Sequence, residues 1–349
     1  MRIAIIGLGL IGGSWALAIK EWAKSEEGRT AGIEVVGFDA KGSQRAEANK
    51  RKIVDHMVAT PMEAVKGAQV VIVATPVMAV RETFEDIAAH LEKGAIVTDV
   101  CSTKRQVMRW AKELLPDNVS FVGGHPMAGK TAGLEEAEAT LFQDCTYCLI
   151  PAPNARQEAI ESVLRLVEIA GARPHFIDAY EHDSYVAAIS HLPYLTATSL
   201  INLSFESDGW KEISRVAGTG FQDTTRLADG SVQMWLDICR TNNDALINWI
   251  DRYQQMLSRV RHMLELAGLQ DEQGRSRPVE ETEPEPLRAF LENAREGRNQ
   301  LFQNKRKFQL ESNFGDSSMP NSKEMKADIG RMFVGGMFKK PKKDEDNKN

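Results

Sequence analysis

His125 is the side chain best suited to acid–base work in this 349-residue sequence. It stands in Gly123-Gly-His125-Pro-Met-Ala-Gly129, between a diglycine and a proline, directly after the strand-like run Phe121–Gly123. An imidazole in that position is a proton acceptor whose ordinary pKa lies near neutrality. A second polar run, Asp99-Val-Cys-Ser102-Thr-Lys104, follows the strand-like Ile96–Asp99. Farther on, Ser190-His191-Leu-Pro-Tyr194 puts a proline inside an apolar helix, where a kink frees backbone groups and turns side chains toward a cleft. His191 reads equally well as a hydrogen-bonded core histidine. The segment GTGFQDTTR ends on Arg226, and Met234-Trp235 follow. A guanidinium after a flexible Gly/Thr turn suits bidentate capture of a carboxylate.

These groups need a partner chemistry, and the N-terminus suggests one. Gly7-Leu8-Gly9-Leu10-Ile11-Gly12 follows a strand-like run and opens a helix. Gly7 permits the tight turn, Gly9 lets the backbone approach a pyrophosphate, and Gly12 lets helix pack closely on strand. The N-terminus of that helix offers unpaired N–H groups to phosphates. Asp39 ends the second strand in VVGFDA, and the polar stretch Lys24–Gly32 accounts for its late position as a longer helix–strand connection. A carboxylate there accepts from ribose hydroxyls and repels a 2′-phosphate, which favours NAD over NADP, with Lys41 and Arg45 as nearby countercharges. Thr75-Pro76, after the strand Val70–Ala74, would border the same crevice, since ligands sit beyond the carboxyl ends of parallel strands.

The elements that must position these residues change character along the chain. Up to residue 178, strand candidates (Arg2–Ile6, Glu34–Phe38, Val70–Ala74, Ile96–Asp99, Phe121–Gly123 and Tyr147–Ile150) alternate with helical stretches. Alternation implies parallel pairing, and near-continuous apolar strands imply a sheet covered on both faces. The expectation is an α/β, Rossmann-type doubly wound parallel sheet over residues 1–178. An all-helical domain is expected over 179–305, with helices Tyr180–Phe205, Gly209–Val216 and Val232–Ala267, and a further helix Glu285–Gln303. The turn AGTGFQDTTR separates the second and third of these, and residues 270–286, rich in Glu and Pro, read as a linker. Residues 306–349 read as a polar tail with a small apolar island.

Composition narrows the partners. A formal net charge of −6 gives no reason to expect nucleic acid. Cys145 and Cys148 form a C-x-x-C, yet no second pair follows, so structural, reduced cysteines are expected and no metal. The opening apolar run is interrupted by glycines that have a role of their own, which argues against a signal peptide, and no stretch approaches membrane-spanning length. A cytoplasmic enzyme is the expectation.

Five elements in order, GLGLIGGS at 7–14, TDVCSTK at 98–104, GGHPMAG at 123–129, SHLP at 190–193 and GFQDTTRLA with its following MW, resemble the prephenate/arogenate dehydrogenase family over roughly residues 1–305. The resemblance implies NAD-dependent oxidative decarboxylation of prephenate, giving 4-hydroxyphenylpyruvate, or of arogenate, in tyrosine biosynthesis. It implies that His125 takes the proton of the substrate's ring hydroxyl, that Ser102 orients that histidine and the hydroxyl, and that Arg226 binds a substrate carboxylate. His191 and Tyr194 fall in the family's kinked-helix motif, Trp235 in its pocket-supporting pair, and a homodimer through the helical domains is implied. Three departures touch the substrate side: Tyr194 where many relatives have a second histidine, a short Lys130-Thr131-Ala132-Gly133 loop, and Cys101 for a common glycine. They leave prephenate and arogenate both open. A β-hydroxyacid dehydrogenase would need a lysine early in the helical domain, and Tyr180–Phe205 contains none. An NAD-binding redox sensor would have no need of His125, Ser102 and Arg226 together.

Overall fold

The structure is a computed structural model that describes residues 1–130, 132–271, 273–278 and 282–314. Its N-terminal elements run β1 (Arg2–Ile6), α1 (Leu10–Trp22), α2 (Glu26–Ala31), β2 (Glu34–Phe38), α3 (Gly42–Lys50), β3 (His56–Met57), α4 (Pro61–Val65) and β4 (Val70–Val73). They continue with α5 (Val80–Ile87), β5 (Ile96–Asp99), α6 (Arg105–Leu114), β6 (Ser120–Pro126), β7 (Thr146–Pro151), α7 (Gln157–Ile169) and β8 (Arg173–Phe176). The strands form one sheet in the order β3-β2-β1-β4-β5-β6-β7-β8.

Alternation along each strand sends side chains into two separate cores. On one face Ile3, Ile5, Val70 and Ile72 meet Trp15 and Ile19 of α1 and Val163 and Val167 of α7. On the other Ala4, Ile6, Val71 and Val73 meet Phe84 and Ile87 of α5 and Val107 and Trp110 of α6. Both faces are therefore dry, and the carboxyl ends of β1, β4, β5 and β6 are left to carry polar groups.

The sheet departs from uniform parallel pairing at one place. Strand β7 runs antiparallel to β6, with His125 opposite Cys148. The connection between them holds only a short 3₁₀ turn, Leu134–Glu136, among its described residues. With no crossover helix, the chain returns beside β6 in the opposite direction. Strands β3 and β8 escape a reading by pattern because β3 has two residues and β8 (Arg-Pro-His-Phe) is polar and proline-bearing, as suits an edge.

The helical part follows as α8 (Ala179–Val186), a π-helical turn (Ala187–His191), α9 (Leu192–Phe205), α10 (Trp210–Val216), α11 (Thr219–Thr225), a 3₁₀ turn (Arg226–Asp229), α12 (Val232–Thr241), α13 (Asn243–Ala267) and α14 (Glu285–Phe314). Three expectations are corrected. Most of AGTGFQDTTR is helical: Gly218 serves as an extended N-terminal boundary, and Gly220 falls in the first turn, where it does not stop the helix. The stretch 232–267 is two helices, broken at Asn242, whose φ of −133° and ψ of 31° leave the helical region. The last helix runs to Phe314, past the expected start of the tail. The tail beyond 314, Thr131 of the short loop and part of the expected linker lie outside the described residues.

Met1–Asn243 packs as one compact unit and the chain from Asp244 as a second. The strands and every group described in the next subsection belong to the first.

Candidate active site

The glycine loop is built by close approach. Gly7 has φ +96°, and a Cβ there would lie 2.5 Å from the Ala74 carbonyl oxygen. A Cβ on Gly12 would lie 1.9 Å from the Gly7 carbonyl oxygen, so α1 can start where it does only with glycine at 12. Gly9 has open space in its Cβ direction. The N–H groups of Leu10, Ile11 and Gly12, in the first turn of α1, have no intrahelical acceptor, and that turn carries no acidic side chain. Asp39 stands beside the loop: its Oδ2 accepts from the Leu8 N–H at 2.8 Å and its Oδ1 from the Lys41 N–H at 2.8 Å. Arg45 donates to the carbonyls of Asp39 and Ala40, which keeps its head against the same strand end. The Thr75 hydroxyl, next to Pro76 and the loop, is buried and has no hydrogen-bond partner among the described residues. An open anion cradle, a carboxylate at the second strand end and an orphaned hydroxyl at the fourth all fit a dinucleotide lying across the carboxyl ends of β1, β2 and β4.

His125, at the end of β6, is held by groups the sequence did not single out. Its Nδ1 is 2.9 Å from Nε2 of His182, and Nδ1 of His182 is 2.8 Å from Oδ1 of Asp183. Asp183 also accepts the backbone N–H groups of Lys104 at 2.7 Å and Arg105 at 3.0 Å. Those N–H groups open helix α6, so a carboxylate from α8 caps a foreign helix at its positive end. Arg105 adds a side-chain ion pair at 3.2 Å. Burial pushes the Asp183 carboxyl up, but the hydrogen bonds from His182 and from the α6 backbone outweigh it and hold the group below its usual range.

An ionised Asp183 fixes both tautomers. It can only accept, so His182 carries its proton on Nδ1 and presents a bare Nε2. His125 must then donate from Nδ1, and its own Nε2 keeps a free lone pair. Burial, followed by the charges of His182, Lys104 and His191, holds the His125 imidazolium well below the ordinary 6.5, so the ring is neutral near pH 7. The result is a half-buried base with its acceptor nitrogen defined from behind.

Near it lies a fully buried ion pair, Lys104 with Asp99. Lys104 Nζ also donates to the Gly124 carbonyl at 2.6 Å, while Asp99 accepts from the N–H groups of Gly124 at 3.1 Å and Cys101 at 2.9 Å. The second glycine of the diglycine is explained by this crowding. A Cβ on Gly124 would sit 2.5 Å from the Asp99 carbonyl oxygen and 2.9 Å from the Tyr147 hydroxyl.

The helical side joins the same network. Asn242, fully buried at the helix break, donates to the Asp183 carbonyl at 2.7 Å, lies 3.3 Å from Nδ1 of His191, and accepts from Arg105 at 2.9 Å. His191 is buried in the π-helical turn, where the helix accommodates Pro193 by widening without ending. Burial lowers the His191 pKa to about 4, against an opposing pull from Asp183. Its ring meets the edge of Trp235 at 6.0 Å, and Trp235 stacks on Tyr194 at 3.7 Å. His125, His191, Tyr194 and Trp235 are thus brought into one cluster, with His182, Asp183 and Asn242 as the missed links.

Two expected residues stand differently. Ser102 is half-buried in the turn before α6, and its hydroxyl has no hydrogen bond among the described residues. The partner that orients His125 here is His182. Arg226 is exposed at the start of its 3₁₀ turn, on a hollow of about 460 Å³ that it shares with Ile201, Gln222 and the carboxylates of Asp223 and Asp229. No hydrogen bond links it to the histidine cluster.

With this geometry in place, comparison with known proteins is specific. The family profile described as prephenate dehydrogenase, nucleotide-binding domain, matches residues 22–175, and that of the prephenate dehydrogenase dimerization domain matches residues 178–275. A prephenate dehydrogenase of Bacillus subtilis is 35% identical over 268 residues, covering 75% of this chain and 70% of the relative. The crystal structure of Synechocystis arogenate dehydrogenase superposes with a TM-score of 0.64 at 30% identity, covering 76% of this chain and 92% of the other. The fold is also that of Aquifex aeolicus prephenate dehydrogenase in complex with hydroxyphenyl propionate and NAD⁺, with a TM-score of 0.75 at 22% identity over 86% of this chain and 98% of the other.

Proposed function

The chain belongs to the prephenate dehydrogenase family, and on that premise we propose that it carries out NAD-dependent oxidative decarboxylation of prephenate with His125 as the base. NAD supplies the hydride acceptor. The Leu10, Ile11 and Gly12 N–H groups, with open space at Gly9, would hold its pyrophosphate, Asp39 would take a ribose hydroxyl, and Thr75 with Pro76 would border the bound cofactor. His125 Nε2 accepts the proton of the ring hydroxyl as that carbon is oxidised. Loss of carbon dioxide from the opposite ring carbon then returns an electron pair to the same oxygen, which becomes a phenolate. The proton His125 removed is the one this phenolate needs. The overall conversion takes up and releases none, so the base must hold a proton briefly and give it back.

The observation that carries this reading is the chain from Asp183 through His182 to His125, which leaves Nε2 as an acceptor. Ser102, His191, Tyr194 and Trp235 line the substrate side, and Arg226 is the candidate for a substrate carboxylate. The family's dimerization-domain match supports a homodimer. The thiols at 101, 145, 148 and 239 are unpaired, which suits a reducing compartment, and we place the enzyme in the cytoplasm. The test is NAD reduction followed with prephenate and with arogenate, for the wild type and His125→Asn. The substitution should remove about 10²–10⁴-fold of turnover with little change in NAD affinity. Near-normal turnover by the variant would take His125 out of the mechanism, and faster reduction with arogenate would reassign the substrate.

A further inference from the structure

A base that sits half-buried behind a hydride-transfer site faces an electrostatic difficulty. Once His125 has taken a proton it becomes an imidazolium in a poorly solvated place, beside the buried Lys104 and with His191 also near. Its direct partner is not a carboxylate but another neutral ring. The Asp183 carboxylate lies one residue further in, bonded to His182. The charge is created in one place and the countercharge stands in another.

We propose that His182 is a second proton carrier in the reaction: as His125 accepts the substrate proton on Nε2, it passes its Nδ1 proton to Nε2 of His182. This rests on His125 being the base. In the step, the substrate O–H bond breaks and the His125 Nε2–H bond forms. Simultaneously or next, the His125 Nδ1–H bond breaks and the His182 Nε2–H bond forms. His125 ends neutral with its proton on the other nitrogen, and His182 ends as an imidazolium in direct contact with Asp183. No electrons move within the relay and no further reactant is needed. When carbon dioxide leaves and the ring oxygen becomes a phenolate, both transfers reverse and the oxygen recovers its proton.

The geometry suits this function at each link. The two transfer distances are 2.9 Å between the rings and 2.8 Å to the carboxylate, within hydrogen-bond range for proton movement. The charged and titratable groups facing His182 are His125 from β6, its neighbour Asp183, which also takes Arg105 and the first N–H groups of α6, and His191 from the π-helical turn, with Lys104 beyond. Asp183 is the anion among them in direct contact. His182 is itself fully buried, so a proton parked there is kept from bulk water until it is needed. A merely structural partner for His125 could be any acceptor; a titratable ring backed by a carboxylate is the composition that can also carry charge.

The experiment uses the full chain and His182→Gln. Glutamine can accept from His125 through its amide oxygen and donate to Asp183, so it preserves orientation and the tautomer but cannot take a proton. Turnover should fall about 10–100-fold, part of the ~10²–10⁴-fold that a general base supplies. The acid limb of the kcat/KM profile should move to lower pH, because the inactivating proton then has to sit on His125 itself. Nitrogen-15 spectra of histidine-labelled wild type supply a measurement that needs no variant: both rings should carry their proton on Nδ1 and leave Nε2 bare, the arrangement the relay starts from. An unshifted acid limb in His182→Gln, or the opposite tautomer at either ring, overturns the relay. His125→Asn separates the two readings, since full turnover in that variant refutes the base and not merely the relay behind it.

Discussion

Asp39 holds the glycine loop and stands at the proposed cofactor site. Its Oδ2 is already engaged by the Leu8 N–H and its Oδ1 by the Lys41 N–H, each leaving one lone pair for a ribose hydroxyl. Asp39→Ser should therefore weaken NAD for two reasons, a lost ribose acceptor and a loosened loop, and should relax discrimination against the 2′-phosphate of NADP. Titrating both cofactors against wild type and variant checks this, and a wild type that already prefers NADP would show the reading of Asp39 to be mistaken. The place of this residue beside the loop was legible because it is set locally: strand, glycine loop, helix, strand end, with α2 (Glu26–Ala31) filling the extra length between them. His182 was not legible. It lies in an unremarkable stretch of α8, and its role depends on a ring 57 residues away. An adjacent His-Asp pair near a helix start was the available signal, and by itself it is no more than a helix N-terminus with an acid.

At the scale of elements, the breaks carry the chemistry. Periodicity along 232–267 favours one helix, yet the chain departs from it at Asn242 so that a single amide can serve Asp183, His191 and Arg105. Patterns of apolar residues report which face is buried and not where a polar residue interrupts the ladder to satisfy a distant group. The π-helical turn was likewise visible only as a proline in an apolar helix; a kink was expected, and a widened turn that buries His191 is what forms. That burial has a measurable consequence. The folded pKa of His191, about 4, lies below the ordinary 6.5. Between those values the unfolded chain binds a proton that the folded chain excludes, so this stability is present above pH 6.5 and is lost as pH falls toward 4. The loss approaches about 3 kcal/mol at the low end. His125 acts in the same direction, so His191→Gln should reduce the drop in melting temperature between pH 7 and pH 5 without abolishing it. Equal drops in wild type and variant would mean that His191 is not held neutral by the fold.

At the scale of the whole molecule, the question is what covers the apolar side chains left outside both cores. In the first unit Leu203, Phe205, Val216 and Val232 of the helical part are each more than 60% exposed. In the second, Leu257 and Leu264 of α13 share one helix face, and Leu291 and Phe302 of α14 stand about three turns apart on another. The same two helices border a hollow of about 810 Å³ lined in part by Met256, Met263, Pro286, Ala289 and Phe290. Monomers rarely leave apolar surface of this kind in water, because each buried side chain of this size is worth about 1.5–3 kcal/mol. A second copy of the chain is the occupant that needs no further partner, and a twofold arrangement would place like faces together, as the match to a dimerization domain supports. Light scattering at micromolar concentration should give twice the monomer mass. The double substitution Leu257→Glu/Leu264→Glu places two carboxylates on the helix face meant to be buried in each copy. It should yield a monomer that keeps its helical circular dichroism, since both side chains are already exposed in the single chain. Unchanged dimer mass in that variant would move the interface off this face of α13, and a monomeric wild type would leave the exposed leucines without the partner argued for here.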